Sequence, residues 1–294
     1  MKIYPEKYTY KIKEMLSFVS AKIMWHHFPD LIRWFYRTRR LRHSSVVLLI
    51  HEGLGDLASM AAAIKEASNE HKLVYVVARK NYFNAISLIF QFNNNVRNIP
   101  SREGKFKNYI IPRKRLRVFK RYGYVIKIGL YARDPIFGYP DSFYLKLGYP
   151  ISLAARKTYF NFSEHPNKLL DDFLKRVGGK YVFISNETTT GCLETSKIDE
   201  IDSKYAIVIF SGDLRINRTD RVHDIAELNK EDFTRSLLNS LYVCCLAEYA
   251  IVSDAGLFNI LIRLENKSNL RVLWRRHLHD LNKEIYGKYI EAGI

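Results

Sequence analysis

Cysteine is scarce: Cys192, Cys244 and Cys245 are the only three in 294 residues. They are too few and too badly spaced for a disulfide framework or a zinc site, so reduced thiols in a cytoplasmic compartment are expected. The adjacent pair inside "SLLNSLYVCCLAEYAIV" reads as two small buried hydrophobes. Long apolar runs are also missing. Val46–Ile50 is typical in length, far short of the roughly 20 residues that cross a bilayer, and "MKIYPEKYTYKIKEM" has no apolar signal-peptide core. These absences predict a chain that is neither secreted nor membrane-spanning. Acidic residues are scarce in one half alone. Residues 1–150 hold 27 Lys and Arg against 10 Asp and Glu, whereas residues 151–294 hold 20 of each. The entire excess of +17 therefore lies in the first half, which is expected to meet something anionic: nucleic acid, a phospholipid surface or a phosphorylated substrate.

What is present is apolar residues in abundance, 47% of the chain, enough for one large core or two smaller ones. Ile12, Leu16, Val19 and Ile23 form one helical stripe, which Pro29 ends. In "DLIRWFYRTRRLRH", Trp34, Phe35 and Tyr36 precede Arg37, Arg39, Arg40 and Arg42, so residues 1–44 read as a basic amphipathic helical segment. Such a helix either lies in the headgroup layer of an anionic membrane or packs on the core with its arginines in solvent.

From Val46 the texture becomes strand, helix, strand, helix: "SVVLLI", "LASMAAAIKEASN", "KLVYVVA", "NYFNAISLIFQF". That rhythm predicts a parallel sheet covered on both faces. Residues 101–127 then carry ten basic residues and the single acid Glu103, which fits a solvated excursion from the sheet or a basic acceptor cleft. No nucleic-acid motif accompanies them, and nucleic acid is not the expected partner. After a turn at Pro166, an amphipathic helix and a Gly178-Gly179 stop, the rhythm restarts with "YVFIS", "YAIVIFS", "KEDFTRSLLNSLYVCCLAE", "YAIVS", "DAGLFNILIRL" and "LRVLW". The predicted organisation is the segment 1–44, a Rossmann-like unit at 45–165 and a second at 166–294.

The first strand runs into "HEGLGDL". In open parallel sheets, ligands bind beyond the carboxyl ends of the strands, and Gly53 and Gly55 let a ligand approach the helix that follows Leu54. A G-x-G-x-x-G fingerprint would need a third glycine where Ala58 stands, and a carboxylate at Asp56 would repel a pyrophosphate, so a dehydrogenase is the weaker option. From its position, Asp56 is either the N-cap of a helix starting at Leu57 or a general base at the mouth of a cleft. The loop "SDAGLFN" repeats the logic, with Asp254, Ala255, Gly256, Leu257 and Asn259 at a helix start. "SNETTTG" offers Ser185, Asn186 and Thr188, and "FSGD" places Gly212 after a strand.

Taken together these loops resemble the heptosyltransferase family of GT-B glycosyltransferases, whose members include the ADP-heptose:lipopolysaccharide heptosyltransferases. "EGLGDLASMAAAIKEA" looks like the family's G-x-G-D turn, with Asp56 in the place of its aspartate. "YAIVSDAGLFNIL" looks like its D-[ST]-G-x-x-H loop, with Ala255 for the hydroxyl residue and Asn259 where histidine is usual. The resemblance implies two Rossmann-like domains facing a cleft and an inverting, metal-independent transfer of sugar from a nucleotide-diphosphate donor to a hydroxyl on a glycan or glycolipid acceptor.

Asp56 would then be the base, with Gly53, Leu54, Gly55 and the basic Arg79 on the acceptor side. Ser185, Asn186, Thr188, Gly212, Asp254, Ala255, Gly256, Leu257 and Asn259 would hold the donor. No cofactor beyond the nucleotide sugar is implied. The charged first half would draw an anionic acceptor and an anionic membrane face. Two other readings stay open beside this one: a nucleic-acid-binding protein, and a transferase-like nucleotide-sugar binder without turnover.

Overall fold

The structure is a computed structural model that describes residues 32–50, 53–101, 111, 113–128, 141–164, 167–185, 206–210, 222–225, 228, 232–253, 256–266 and 269–273. The stripe at Ile12–Ile23 and the cysteine Cys192 lie outside them. Two parallel sheets follow one another along the chain, as the alternating rhythm predicts.

In the first unit, β1 (Ser45–Leu49), β2 (Leu73–Ala78), β3 (Val96–Pro100) and β4 (Tyr124–Lys127) pair in the order β3-β2-β1-β4. The second holds β5 (Tyr181–Ser185), β6 (Ala206–Phe210), β7 (Val222–Asp224), β8 (Tyr249–Ser253) and β9 (Leu270–Leu273) in the order β7-β6-β5-β8-β9. Every pairing between these strands is parallel. Both orders are those of a doubly wound fold, in which the winding reverses beside β1 in one sheet and between β5 and β8 in the other.

After Ser45, β1 is apolar because it is covered on both faces. Val46 and Leu48 join a core with Val74, Val76, Ile64 and Ile86, while Val47 and Leu49 meet Val77, Ile111 and Phe119 on the other side. Burying these four side chains stabilises the sheet by about 1.5–3 kcal/mol each. The first face is covered by α2 (Leu54–Ser59), α3 (Ala61–Glu70) and α4 (Lys80–Ile89), the second by α5 (Arg113–Lys120). The larger of the two cores continues into the second unit, through α7 (Lys168–Val177), α8 (Phe233–Leu246) and α9 (Gly256–Leu261).

Three sequence expectations change. The stretch 101–127 is not wholly an excursion: Arg113–Lys120 is a helix that buries Phe119, and β4 returns to pair with β1. The basic residues of α5 all point outward, which is why local composition hid the element. The single helix expected at 57–69 begins at Leu54 and is interrupted at Met60. There the Ser59 carbonyl accepts the Tyr144 hydroxyl at 2.5 Å from α6 (Asp141–Leu147).

The third change concerns α1, residues 32–41. It exposes Trp34 (65%) and Phe35 (52%), yet Arg40 is buried (1% exposed) rather than lying in solvent or in headgroups. Its Nε donates to Leu147 O at 2.9 Å, and its Nη1 lies 2.5 Å from Glu70 Oε2 and 2.8 Å from His71 Nε2. Its guanidinium stacks 4.6 Å over the Tyr149 ring, and Glu70 also accepts from Tyr149 OH at 2.5 Å and Arg37 Nη2 at 3.2 Å. Ahead of the expected boundary at 166, contacts run to both units. Arg156 still pairs with Glu66 of α3, whereas Thr158 already bridges to Leu264 of the second unit.

Candidate functional site

β1 delivers the chain to Gly53 at the carboxyl edge of the first sheet. Gly53 is the N-cap of α2, in extended conformation, and no side chain caps the helix. Asp56 is therefore the third residue of α2 and not its cap, which corrects the first of the two roles its position allowed. It is half-buried in the first helical turn, where its charge complements the helix dipole. In the second sheet, β5 ends at the buried Ser185 and its neighbour β8 at Ser253, and α9 begins at Gly256.

The two turns are nearly 200 residues apart in the chain and meet in space. A Cβ placed on Gly55 would fall 3.1 Å from Asn259 Nδ2 and 3.3 Å from Gly256 Cα, and one placed on Gly256 would fall 3.2 Å from Leu54 Cβ. A side chain at either glycine would be tight against the other helix, so the two glycines favour this close approach of α2 and α9. The Ser59 hydroxyl closes the contact, reaching Asn259 Oδ1 at 2.9 Å and Gly55 O at 2.8 Å. Beside it Tyr82 of α4 packs on Phe233 of α8 with ring centroids 5.1 Å apart. The carboxyl edges of the two sheets thus face one another, each at the place where its winding reverses.

Of the predicted acceptor residues, Gly53, Leu54, Gly55 and Asp56 lie together in this turn. Arg79 stands at the end of β2, the neighbour of β1, as N-cap of α4. Its guanidinium lies 5.4 Å over the Tyr82 ring, and its Nε is buried without a hydrogen-bond partner among the described residues. Of the predicted donor residues, Ser185, Gly256, Leu257 and Asn259 are placed. Asn259 is 7% exposed, with its side chain turned to the boundary between units. Asn186, Thr188, Gly212, Asp254 and Ala255 lie outside the described residues.

The sequence reading missed Ser59, Tyr144 and Arg263, which brace this contact. Ser59, a polar residue within the small-residue stretch "LASMAAAI", was the one visible signal. Among the described residues no group of three or more His, Cys, Asp or Glu could hold a metal.

The class the fold defines is a tandem pair of Rossmann-wound α/β units in contact at their carboxyl edges. No family model and no curated protein matches the sequence. Solved structures do match in backbone. The glycosyl transferase family 9 protein of Veillonella parvula aligns over 83% of this chain and 91% of its own, at 10% identity and a TM-score of 0.46. E. coli heptosyltransferase WaaC with ADP aligns over 79% and 91%, at 15% identity and a TM-score of 0.43. E. coli ADP-heptose lps heptosyltransferase II aligns over 80% and 91%, at 10% identity and a TM-score of 0.46.

Proposed function

We propose that this chain is an inverting glycosyltransferase that moves a sugar from a nucleotide-diphosphate donor to a hydroxyl of an anionic glycan or glycolipid, such as a lipopolysaccharide precursor. The observation that carries the reading is the meeting of the Asp56 turn with α9, at the carboxyl edges where both sheets reverse their winding. It brings together the two loops whose residues resemble the heptosyltransferase motifs.

In the reaction, Asp56 accepts the proton of the acceptor hydroxyl as its oxygen bonds to the anomeric carbon. The bond from that carbon to the diphosphate breaks on the opposite face, inverting the centre. Backbone amides at the start of α9 and the hydroxyl of Ser185 neutralise the departing diphosphate, so that no metal is obligatory. Arg79, whose buried Nε beside β1 is unsatisfied among the described residues, is suited to an acidic group on the acceptor.

Attachment to the cytoplasmic face of a membrane fits the same reading. Exposed Trp34, Phe35 and Leu41 on α1 adjoin Arg39 and Arg42, and α5 turns Arg113, Lys114, Arg115, Arg117 and Lys120 outward without an acid among them. Apolar and aromatic groups with arginines are the composition that enters anionic headgroups.

A thermal-shift screen of the intact protein against ADP, UDP, GDP and CDP and their hexose and heptose conjugates tests the donor. One nucleotide series should raise the melting temperature by mass action, and no shift with any of them would overturn the reading. With the donor in hand, Asp56→Asn should lower turnover about 10²–10⁴-fold while donor binding persists. Full activity in that variant would end the assignment of the base. Sedimentation with vesicles should favour phosphatidylglycerol over phosphatidylcholine; equal binding to both would remove the membrane role.

A further inference from the structure

Two units joined by a short crossing are ordinarily free to move against each other. Here the contact between them carries a device that opposes sliding. Ser59 is wholly buried and Asn259 nearly so, and their side chains meet across the boundary. Each is braced from its own unit. Tyr144 OH donates to Ser59 O at 2.5 Å on one side, and the buried Arg263 donates from Nη1 to Asn259 O at 2.8 Å and lies 3.4 Å from its Oδ1 on the other. Gly55 and Gly256 press together beside the pair. A shift of α2 along α9 would drive a backbone into a side chain and break the hydrogen bond across the boundary.

We infer that Ser59 and Asn259 form a latch that holds the two units in a single register, and that through it they are positioning residues for Asp56. The single Ser59 hydroxyl proton is shared between Asn259 Oδ1 and, within α2, the carbonyl of Gly55, the peptide that leads directly into Asp56. Whatever holds Ser59 to Asn259 therefore sets the orientation of the Asp56 turn against α9. The positioning role rests on the reading of Asp56 given above, whereas the latch rests on geometry alone.

Amide hydrogen exchange on the substrate-free protein tests it. Ser59→Ala and Asn259→Ala should each speed exchange about tenfold in both helices, at Leu57–Met60 and at Leu257–Ile260, the size of one lost hydrogen bond, while β2 and β6 keep their rates. The double variant should fall well short of the product of the two single effects, because both remove the shared bond, while Ser59→Ala alone also frees Gly55 O and Asn259→Ala alone the Arg263 contact.

Effects confined to the mutated unit, or multiplication to about a hundredfold in the double variant, would each overturn the latch. If exchange behaves as expected while Asp56→Asn keeps full turnover, the latch stands and the reading of Asp56 falls.

Discussion

Two buried polar clusters hold this molecule together, and they work differently. Beneath α1, Arg40, Glu70, His71 and Tyr149 use full charges to fasten a helix onto its own unit. Between α2 and α9, Ser59 and Asn259 use neutral groups and two glycines to join different units. A charge removed from water must be answered by another charge, so the first cluster fails badly when one member is lost. The second is limited by space: it tolerates loss of a hydrogen bond better than it tolerates an added atom. Strength is local in one case and register in the other.

The sharpest way to break the comparison is Arg40→Met. Among the described residues it leaves the Glu70 carboxylate with Arg37 and Tyr149, and it should cost about 3 kcal/mol in chemical denaturation. Glu70→Gln on top of it should recover part of that loss, because the uncompensated charge goes too.

Gly55→Ala comes next. The new methyl meets Asn259 and the backbone of Gly256, and a loss of about 2 kcal/mol is expected, with faster exchange in α9 as well as α2.

Acid should then separate the clusters. Burial and the neighbouring Arg40 push the His71 pKa below its ordinary 6.5, against an opposing hydrogen bond to His43 O. Because Arg40 only donates, Nε2 of His71 accepts and Nδ1 carries the proton, so the native state wants the ring neutral. Its stabilisation is complete above pH 6.5 and fades as pH falls from there towards the depressed native value. Burial works against the Glu70 carboxylate too, but Tyr149, Arg40 and Arg37 outweigh it and set its pKa below 4.5. Its contribution is lost only as pH falls below that. A stability profile should therefore decline first below pH 6.5, and His71→Gln should flatten that part while Ser59→Ala leaves its shape unchanged.

The smallest effect belongs to a pair in neither cluster. Lys180 and Glu248 lie 3.2 Å apart but largely in water, and Lys180→Ala should cost no more than about 0.5 kcal/mol.

The strands were legible because their signals are local. A strand buried on both faces reads as "VVLLI" or "YVFIS" wherever it lies. β4 and β7 were harder. "YVIK" follows a run of basic residues, and "VHD" is three residues of an edge strand with little apolar content. The Asp56 turn was visible as glycines after a strand, but its role as cap was misjudged because the helix starts earlier, at Leu54. Arg40 gave no signal at all. Among Arg37, Arg39, Arg40 and Arg42 nothing local marks the one that Glu70, Leu147 and Tyr149 will surround.

The sequence by itself determined two parallel α/β units, the charge of the first and the two glycine-bearing turns, since each follows from neighbours within a few residues. Only the tertiary structure decided that those turns touch, that Ser59 finds Asn259 and that one arginine turns inward. Those contacts join residues about 30 to 200 positions apart, and packing selects their partners, not propensity.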